Sequence, residues 1–142
     1  IVLELLPDVA PLAVNSFIFL AENGWFDGVT FHRVIPGFMA QTGDPSGTGF
    51  GHPGYAFRNE ISADYTFDGP GVVAMANSGP DTNGCQFFIT YVPYPSLNGL
   101  YTIFGKLVDG VDVFEQITER DADQNPDAPV GDEIISITIT EK

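Results

Sequence analysis

Sixteen glycines and 11 prolines cut this 142-residue chain into runs too short for a long-helix scaffold. The segments between them mostly carry the two-residue period of strands. Residues 1–6 read as a strand that Pro7 stops. Pro11 suits the first turn of a helix, where Val14, Phe17, Ile18 and Ala21 share one face and Gly24 supplies a C-terminal cap. Residues 29–34 alternate like a strand, Pro36-Gly37 marks a turn, and 38–42 form a second short strand. The glycine-rich stretch 43–54 is too broken for regular structure. Residues 72–75, 86–90 and 102–108 are strand-like. Residues 111–118 place Val113, Phe114 and Ile117 on one face of a short helix. Ile135, Ile137 and Ile139 alternate with Ser136, Thr138 and Thr140, which predicts a half-buried last strand. About seven strands and two helices, with dense turns, favour an antiparallel barrel or sandwich over βαβ units. No repeat, low-complexity tract or linker divides the chain, so 1–142 is expected to be a single domain.

Composition narrows the partners. The chain is 44% hydrophobic with 12 Phe, enough for a packed core. Nineteen acidic against five basic residues give a net charge of −14, which repels phosphate backbones and anionic lipid. Nucleic acid and membrane surfaces are therefore not expected partners, and no apolar run approaches the ~18 to 20 residues that span a bilayer. Cys85 is the only cysteine, which excludes an intrachain disulfide and a thiolate metal cluster. No targeting motif is legible, so a cytoplasmic and an extracytoplasmic setting both stay open.

The usual catalytic sets are missing. His32 and His52 have no helical partner at metal-ligand spacing, and no nucleophile elbow or phosphate loop occurs. His32 is expected to be a structural, hydrogen-bonded side chain within its strand. Asp121, Asp123 and Asn125 imitate the start of a calcium loop, but Pro126 occupies the place of the required glycine. The loop 121–132 reads instead as a solvated acidic segment, lying away from any apolar groove. Cys85 reads as a small packed residue. No metal and no cofactor are expected. What remains is Arg33, the first cation of the chain, on a strand face with Phe31, followed by Met39 and Gln41 on one face of the next strand. Cation, thioether and amide among aromatics can make a mostly apolar groove with a few aimed donors. The same residues can equally be ordinary core beside a surface charge.

The order of residues goes further. Phe31-His32-Arg33-Val34-Ile35-Pro36-Gly37-Phe38-Met39-Ala40-Gln41-Thr42-Gly43-Asp44 closely resembles a signature of the cyclophilins. So does Met75-Ala76-Asn77-Ser78-Gly79-Pro80-Asp81-Thr82-Asn83-Gly84-Cys85-Gln86-Phe87-Phe88-Ile89-Thr90, and Gly47-Thr48-Gly49, Leu97-Asn98-Gly99 and Phe104-Gly105-Lys106 follow in the family's order. The resemblance implies a mainly β fold, a closed antiparallel eight-stranded barrel capped by two α-helices, whose first strand would precede Ile1. It also implies a peptidyl-prolyl cis/trans isomerase that assists protein folding, acting as a monomer on proline-containing peptides and on unfolded or flexible protein segments. By motif, Arg33 matches the catalytic arginine, with Gln41 and Tyr101 beside it. Phe38, Met39, Phe88 and Leu97 match the walls of the proline pocket. Ala76, Asn77 and Gln86, with Gln41, match groups that hold the substrate backbone, and Thr48, Ser78 and Thr82 match the neighbouring pocket.

Three departures stand out. Thr42 replaces a usual glycine, the loop 47–54 is shorter than in the best-known members, and Ser96 stands where many members carry Trp. The last is expected to weaken binding of the cyclic peptide cyclosporin. Two other functions compete: a non-catalytic module that holds proline peptides in the same groove, and a structural or sugar-binding β-sandwich.

Overall fold

The computed structural model describes residues 1–141. Its strands are β1 (Val2–Leu5), β2 (Arg33–Ile35), β3 (Met39–Thr42), β4 (Val72–Met75), β5 (Phe87–Thr90), β6 (Ile103–Asp109) and β7 (Arg120–Asp121). The helices are α1 (Pro11–Glu22) and α2 (Val111–Phe114), and a single 3-10 turn, Pro95–Leu97, precedes β6. The strands form one sheet in the order β1-β6-β4-β5-β3-β2-β7, and every pairing is antiparallel.

Side-chain alternation divides this sheet into two apolar faces. Ala40, Val73, Met75, Phe87 and Ile89 point to the face covered by α1 and join Val14, Phe17, Leu20 and Phe104 in the larger core. Met39, Ala74 and Phe88, one residue out of phase, join Phe67 and Ile103 in a smaller cluster on the opposite face. The central strands are thus buried on both sides, which explains why they read as continuous apolar runs. Phe17 anchors α1 to the sheet, with ring centroids 5.3 Å from Phe26, 5.3 Å from Phe87 and 5.5 Å from Phe104.

α1 begins with Pro11 and runs into Gly24, whose φ of +73° suits the left-handed residue after a helix end. Its first turn is capped from far along the chain. The Glu60 carboxylate accepts hydrogen bonds from the backbone N–H of Leu12 at 3.0 Å and of Ala13 at 2.9 Å. Both groups would otherwise be orphan donors at the positive end of the helix dipole. Glu60→Ala is expected to cost about 1 to 2 kcal/mol, read as a lower urea midpoint with an unchanged slope. A midpoint equal to that of the unmodified chain would show that water replaces the carboxylate.

Three expectations change. The hydrogen-bonded sheet has seven strands, starts at β1 and ends at β7, and among the described residues no strand pairing joins these edges, where the resemblance implies eight strands in a closed barrel. The predicted last strand is absent. Residues 132–134 bond to the backbone of Gly28, Val29 and Phe31, but among the described residues those past Ile134 make no strand pairing, and Ile135 is 89% exposed while Ile137 and Ile139 lean on the core. The seventh strand is instead β7, two polar residues long. α2 also stops at Phe114, where the periodicity had run to residue 118.

Candidate active site

β2 and β3 carry the centre of the site. Antiparallel partners point to the same face, and the register aligns Asp121, Arg33, Gln41, Phe88 and Ala74 across five adjacent strands. One row therefore passes from an acid through a cation and an amide to an aromatic ring. Met39, two residues before Gln41, extends the apolar end. Phe31 does not share this face. It lies before β2 and packs in the larger core with Val34, so the alternation breaks at His32.

The row opens into a groove of about 390 Å³. Its apolar end is made by Phe38, Met39, Phe88, Leu97 and Tyr101. The rings brace one another: Phe88 meets Tyr101 edge-on at 5.5 Å and stacks at 5.9 Å on the buried Phe67, while Phe38 packs on Tyr94 at 4.5 Å. A flat apolar wall of this kind accepts a ring without rearranging.

Arg33 stands at the edge of that wall, its guanidinium carbon 5.9 Å from the Phe38 ring centroid. The only ion pair among the described residues is Lys106 with Glu4 at 3.5 Å, so Arg33 is not neutralised by a carboxylate. Its Nε is buried without a hydrogen-bond partner. A guanidinium held without an acceptor is a donor set available to something in the groove.

Gln41, Thr48, Ala76 and Asn77 also line the groove. Gln41 donates from Nε2 to Oε1 of Gln86 at 2.9 Å, and Gln86 donates in turn to the carbonyls of Gly49 at 2.9 Å and Gly51 at 3.0 Å. Gln86 is thus spent within the protein. It fixes the amide of Gln41 and the 49–51 loop but does not line the groove. Ser78 and Thr82 also lie outside the lining, where the Thr82 hydroxyl accepts from Ser78 N–H and donates to the Gly79 carbonyl in one turn. The Asn77 side chain donates to the Leu100 carbonyl and accepts from Gly79 N–H, both at 3.1 Å, which leaves its backbone to face a ligand.

The short loop after β3 is tied down by Asp44, which is fully buried. Its carboxylate accepts from the Ser46 N–H and hydroxyl and from the N–H groups of Gly49 and Gly51. Burial pushes the Asp44 carboxyl up, but these hydrogen bonds outweigh it and hold the group below its ordinary range. A Cβ at Gly51 would collide with that carboxylate, so only glycine fits there. Thr42 lies outside the groove, buried, its hydroxyl donating to the Thr30 carbonyl at 2.9 Å.

The sequence did not point to His32, Phe50, Asp121, Ala122 or Asp123, all of which line the same groove. The start of the acidic loop is thus at the site and not remote from it, because β7 pairs with β2. A length of two residues left no strand pattern to find. His32 is buried but, against expectation, it precedes β2 and its Nδ1 has no hydrogen-bond partner. Burial lowers its pKa from the usual 6.5; the Asp44 charge opposes this, and Arg120 and Arg33 reinforce it. Cys85 is buried and its thiol is pushed up to about 11, first by burial and then by Asp44, so it is no nucleophile at neutral pH. Among the described residues no group of three His, Cys, Asp or Glu side chains could hold a metal ion.

Fold and groove together describe a small antiparallel β protein that offers an apolar ring site with one unpaired cation at its edge. The family profile "Cyclophilin type peptidyl-prolyl cis-trans isomerase/CLD" matches residues 1–139, and the chain belongs to this family. It is 48% identical over 137 residues to the peptidyl-prolyl cis-trans isomerase-like 2 of Cryptococcus neoformans, covering 93% of this chain but 24% of that protein's length. It is 46% identical over 118 residues to peptidyl-prolyl cis-trans isomerase B of Bacillus subtilis, covering 83% of this chain and 82% of that one. A crystal structure of a Cryptosporidium parvum cyclophilin-type isomerase, determined in the presence of the dipeptide Ala-Pro, superposes with a TM-score of 0.81 at 36% identity. It covers 96% of this chain and 92% of that chain.

Proposed function

We propose that this chain rotates X-Pro peptide bonds between cis and trans, with Arg33 as the group that stabilises the twisted amide. Planar-amide resonance sets a barrier of about 18 to 20 kcal/mol, and uncatalysed exchange takes roughly tens to hundreds of seconds. In the twisted state the nitrogen becomes pyramidal and its lone pair localises, creating an acceptor that the ground state lacks. A guanidinium that donates there, or that holds the flanking carbonyl, binds the transition state better than the substrate.

The apolar end of the groove is the seat for the proline ring: Phe38, Met39, Phe88 and Leu97 form its walls and Tyr101 closes one side. Gln41, held by Gln86, and the backbone near Ala76 and Asn77 hold the chain on the other side of the rotating bond. Thr48 borders the residues before proline, while Ser78 and Thr82, in a turn outside the lining, are left to meet a longer peptide. A turnover of ~10³ s⁻¹ requires a barrier near 13 kcal/mol, about 6 below the uncatalysed one. One aimed charged donor contributes about 3 to 4 kcal/mol by analogy with oxyanion donors, and preorganised binding adds the remainder.

The observation that carries this reading is Arg33, which makes no ion pair and leaves Nε without a partner, beside a braced aromatic pocket, in the row that continues into Gln41 and Phe88. All these residues come from one chain, so the site needs no second copy, which supports a monomer as the catalytic unit. The charge of −14 directs it to peptides and flexible protein segments and away from nucleic acid and anionic membranes. Ser96, exposed in the turn before Leu97 and outside the groove lining, supports a weakened grip on cyclosporin. The deciding experiment is a prolyl-isomerisation assay on a short peptide. No acceleration over solvent at micromolar protein would overturn the reading in favour of a peptide holder.

The mechanism uses no proton transfer. Activity is therefore expected to be nearly flat from about pH 6 to about pH 8. Stability follows a different course. The lowered pKa of His32 means that the unfolded chain takes up this proton at a higher pH than the folded one. Its contribution is complete above the ordinary value of 6.5 and is lost as pH falls towards the folded value. Thermal midpoints should thus decline as pH falls below 6.5, while kcat/KM stays level down to about pH 6. A bell-shaped kcat/KM profile would place a titrating group in the reaction.

A further inference from the structure

Two features of the groove have no part in the proline site. Phe50 lines it yet is 89% exposed, an aromatic face with no partner. Asp121, at the end of β7, and Asp123, in the turn that follows, line it as well, at the far side of Arg33. Both features border the same short stretch of chain. The loop that carries Phe50 crosses over His32, where a Cβ at Gly49 would stand 3.6 Å from Nε2, and β7 pairs with the next residue, Arg33. His32 closes the floor between them, 8% exposed, lining the groove and with Nδ1 unpartnered.

The charges at this end do not cancel. Within the lining two carboxylates meet one guanidinium; Arg120, the other nearby cation, keeps its charge but lies outside the lining, where it donates to the carbonyls of Ala128 and Pro129. The lowered pKa of His32 keeps its imidazole neutral at neutral pH. An exposed ring with a pair of carboxylates is the set that receives a long cationic side chain, whose methylenes lie on the ring while its head meets the acids. An acidic side chain at the same place adds a third negative charge beside the two carboxylates.

We propose that this end of the groove selects substrates that carry a lysine or arginine close to the proline, with Asp121, Asp123 and Phe50 as the specificity-determining residues. The proposal rests on the isomerase reading of the same groove. The preference is stated in kcat/KM and lies in KM, because the flanking residue is bound alike in ground and transition states.

The test compares peptides identical except for Lys, Gln or Glu at one position, placed before the X-Pro bond in one set and after it in the other. In at least one set Lys is expected to exceed Gln by about three- to tenfold at low salt, with Glu below Gln. The preference should shrink towards unity by about 0.5 M salt. In the double variant Asp121→Asn, Asp123→Asn the Lys-to-Gln ratio falls to near one. In Glu22→Gln, Glu115→Gln, which removes the same charge from exposed sites outside the groove, the ratio is retained. A ratio near one in the unmodified chain, or an equal fall in both double variants, overturns the proposal. Peptide binding by NMR titration reads the same preference without turnover. Selective binding of the Lys peptide with no isomerisation would therefore overturn the isomerase reading and leave the selectivity standing.

Discussion

Arg33→Ala is expected to lower kcat/KM for a short X-Pro peptide by at least about tenfold, chiefly through kcat, while the fold stays intact. The fold is safe because β2 contributes its buried contact through Val34, whereas Arg33 is half-buried on the groove face and bonds to no carboxylate. The catalytic loss is large because the guanidinium has no other use. Its Nε is buried without a partner, and its carbon stands 5.9 Å from the ring that would hold the proline. If one such donor contributes about 3 to 4 kcal/mol, its removal costs a hundredfold or more, and tenfold is the floor once water partly replaces it. Arg33→Lys separates charge from shape: a point charge without the planar fork should recover only part of the rate. Unchanged turnover in a folded Arg33→Ala protein, its urea midpoint matched to the unmodified chain, would end the proposed mechanism.

How much of this was legible depended on where each signal was encoded. α1 was readable because proline, an apolar face and a following glycine agree within 14 residues, from Pro11 to Gly24. β3, β4 and β5 were readable as short apolar runs between turn residues, although burial on both faces hid which side chains point where. The alternation of Ile135, Ile137 and Ile139 misled because a two-residue period describes a strand only when a neighbour supplies hydrogen bonds, and those stop at Ile134. β7 had the opposite problem: Arg120 and Asp121 carry no strand propensity and are a strand only through their pairing with β2. The acidic lip of the groove stayed hidden with it. Gln86 shows the limit of carrying roles across by motif. It lies in the expected place, yet both ends of its amide are used by Gln41 and the glycine loop. The cap that Glu60 gives to α1 spans 48 residues, and no local pattern announces it.

Cyclosporin should be held about 10- to 100-fold more weakly by this chain than by cyclophilins that carry Trp at the position of Ser96, a difference of roughly 1.4 to 2.8 kcal/mol. In those members the indole offers a flat face and an N–H at the rim. Burying such a face contributes on the order of 1 to 3 kcal/mol. Here Ser96 is exposed in the turn Pro95–Leu97 and makes no part of the groove wall, while Leu97 beside it does. The loss is therefore confined to the rim. The ring site of Phe38, Met39 and Phe88 and the Arg33 edge are untouched, so turnover of short peptides should persist at concentrations of the drug that silence a Trp-bearing relative. Ser96→Trp should restore part of the affinity, because the turn already presents that side chain to solvent next to Leu97 and a larger group meets no packed neighbour. The recovery should be incomplete, since a Trp added to this turn has none of the surrounding contacts that orient it elsewhere. An inhibition titration of both proteins in one assay decides it. Equal inhibition of the unmodified chain and the Ser96→Trp variant would mean that residue 96 does not meet the ligand, and that the rim of this groove is built by another part of the chain.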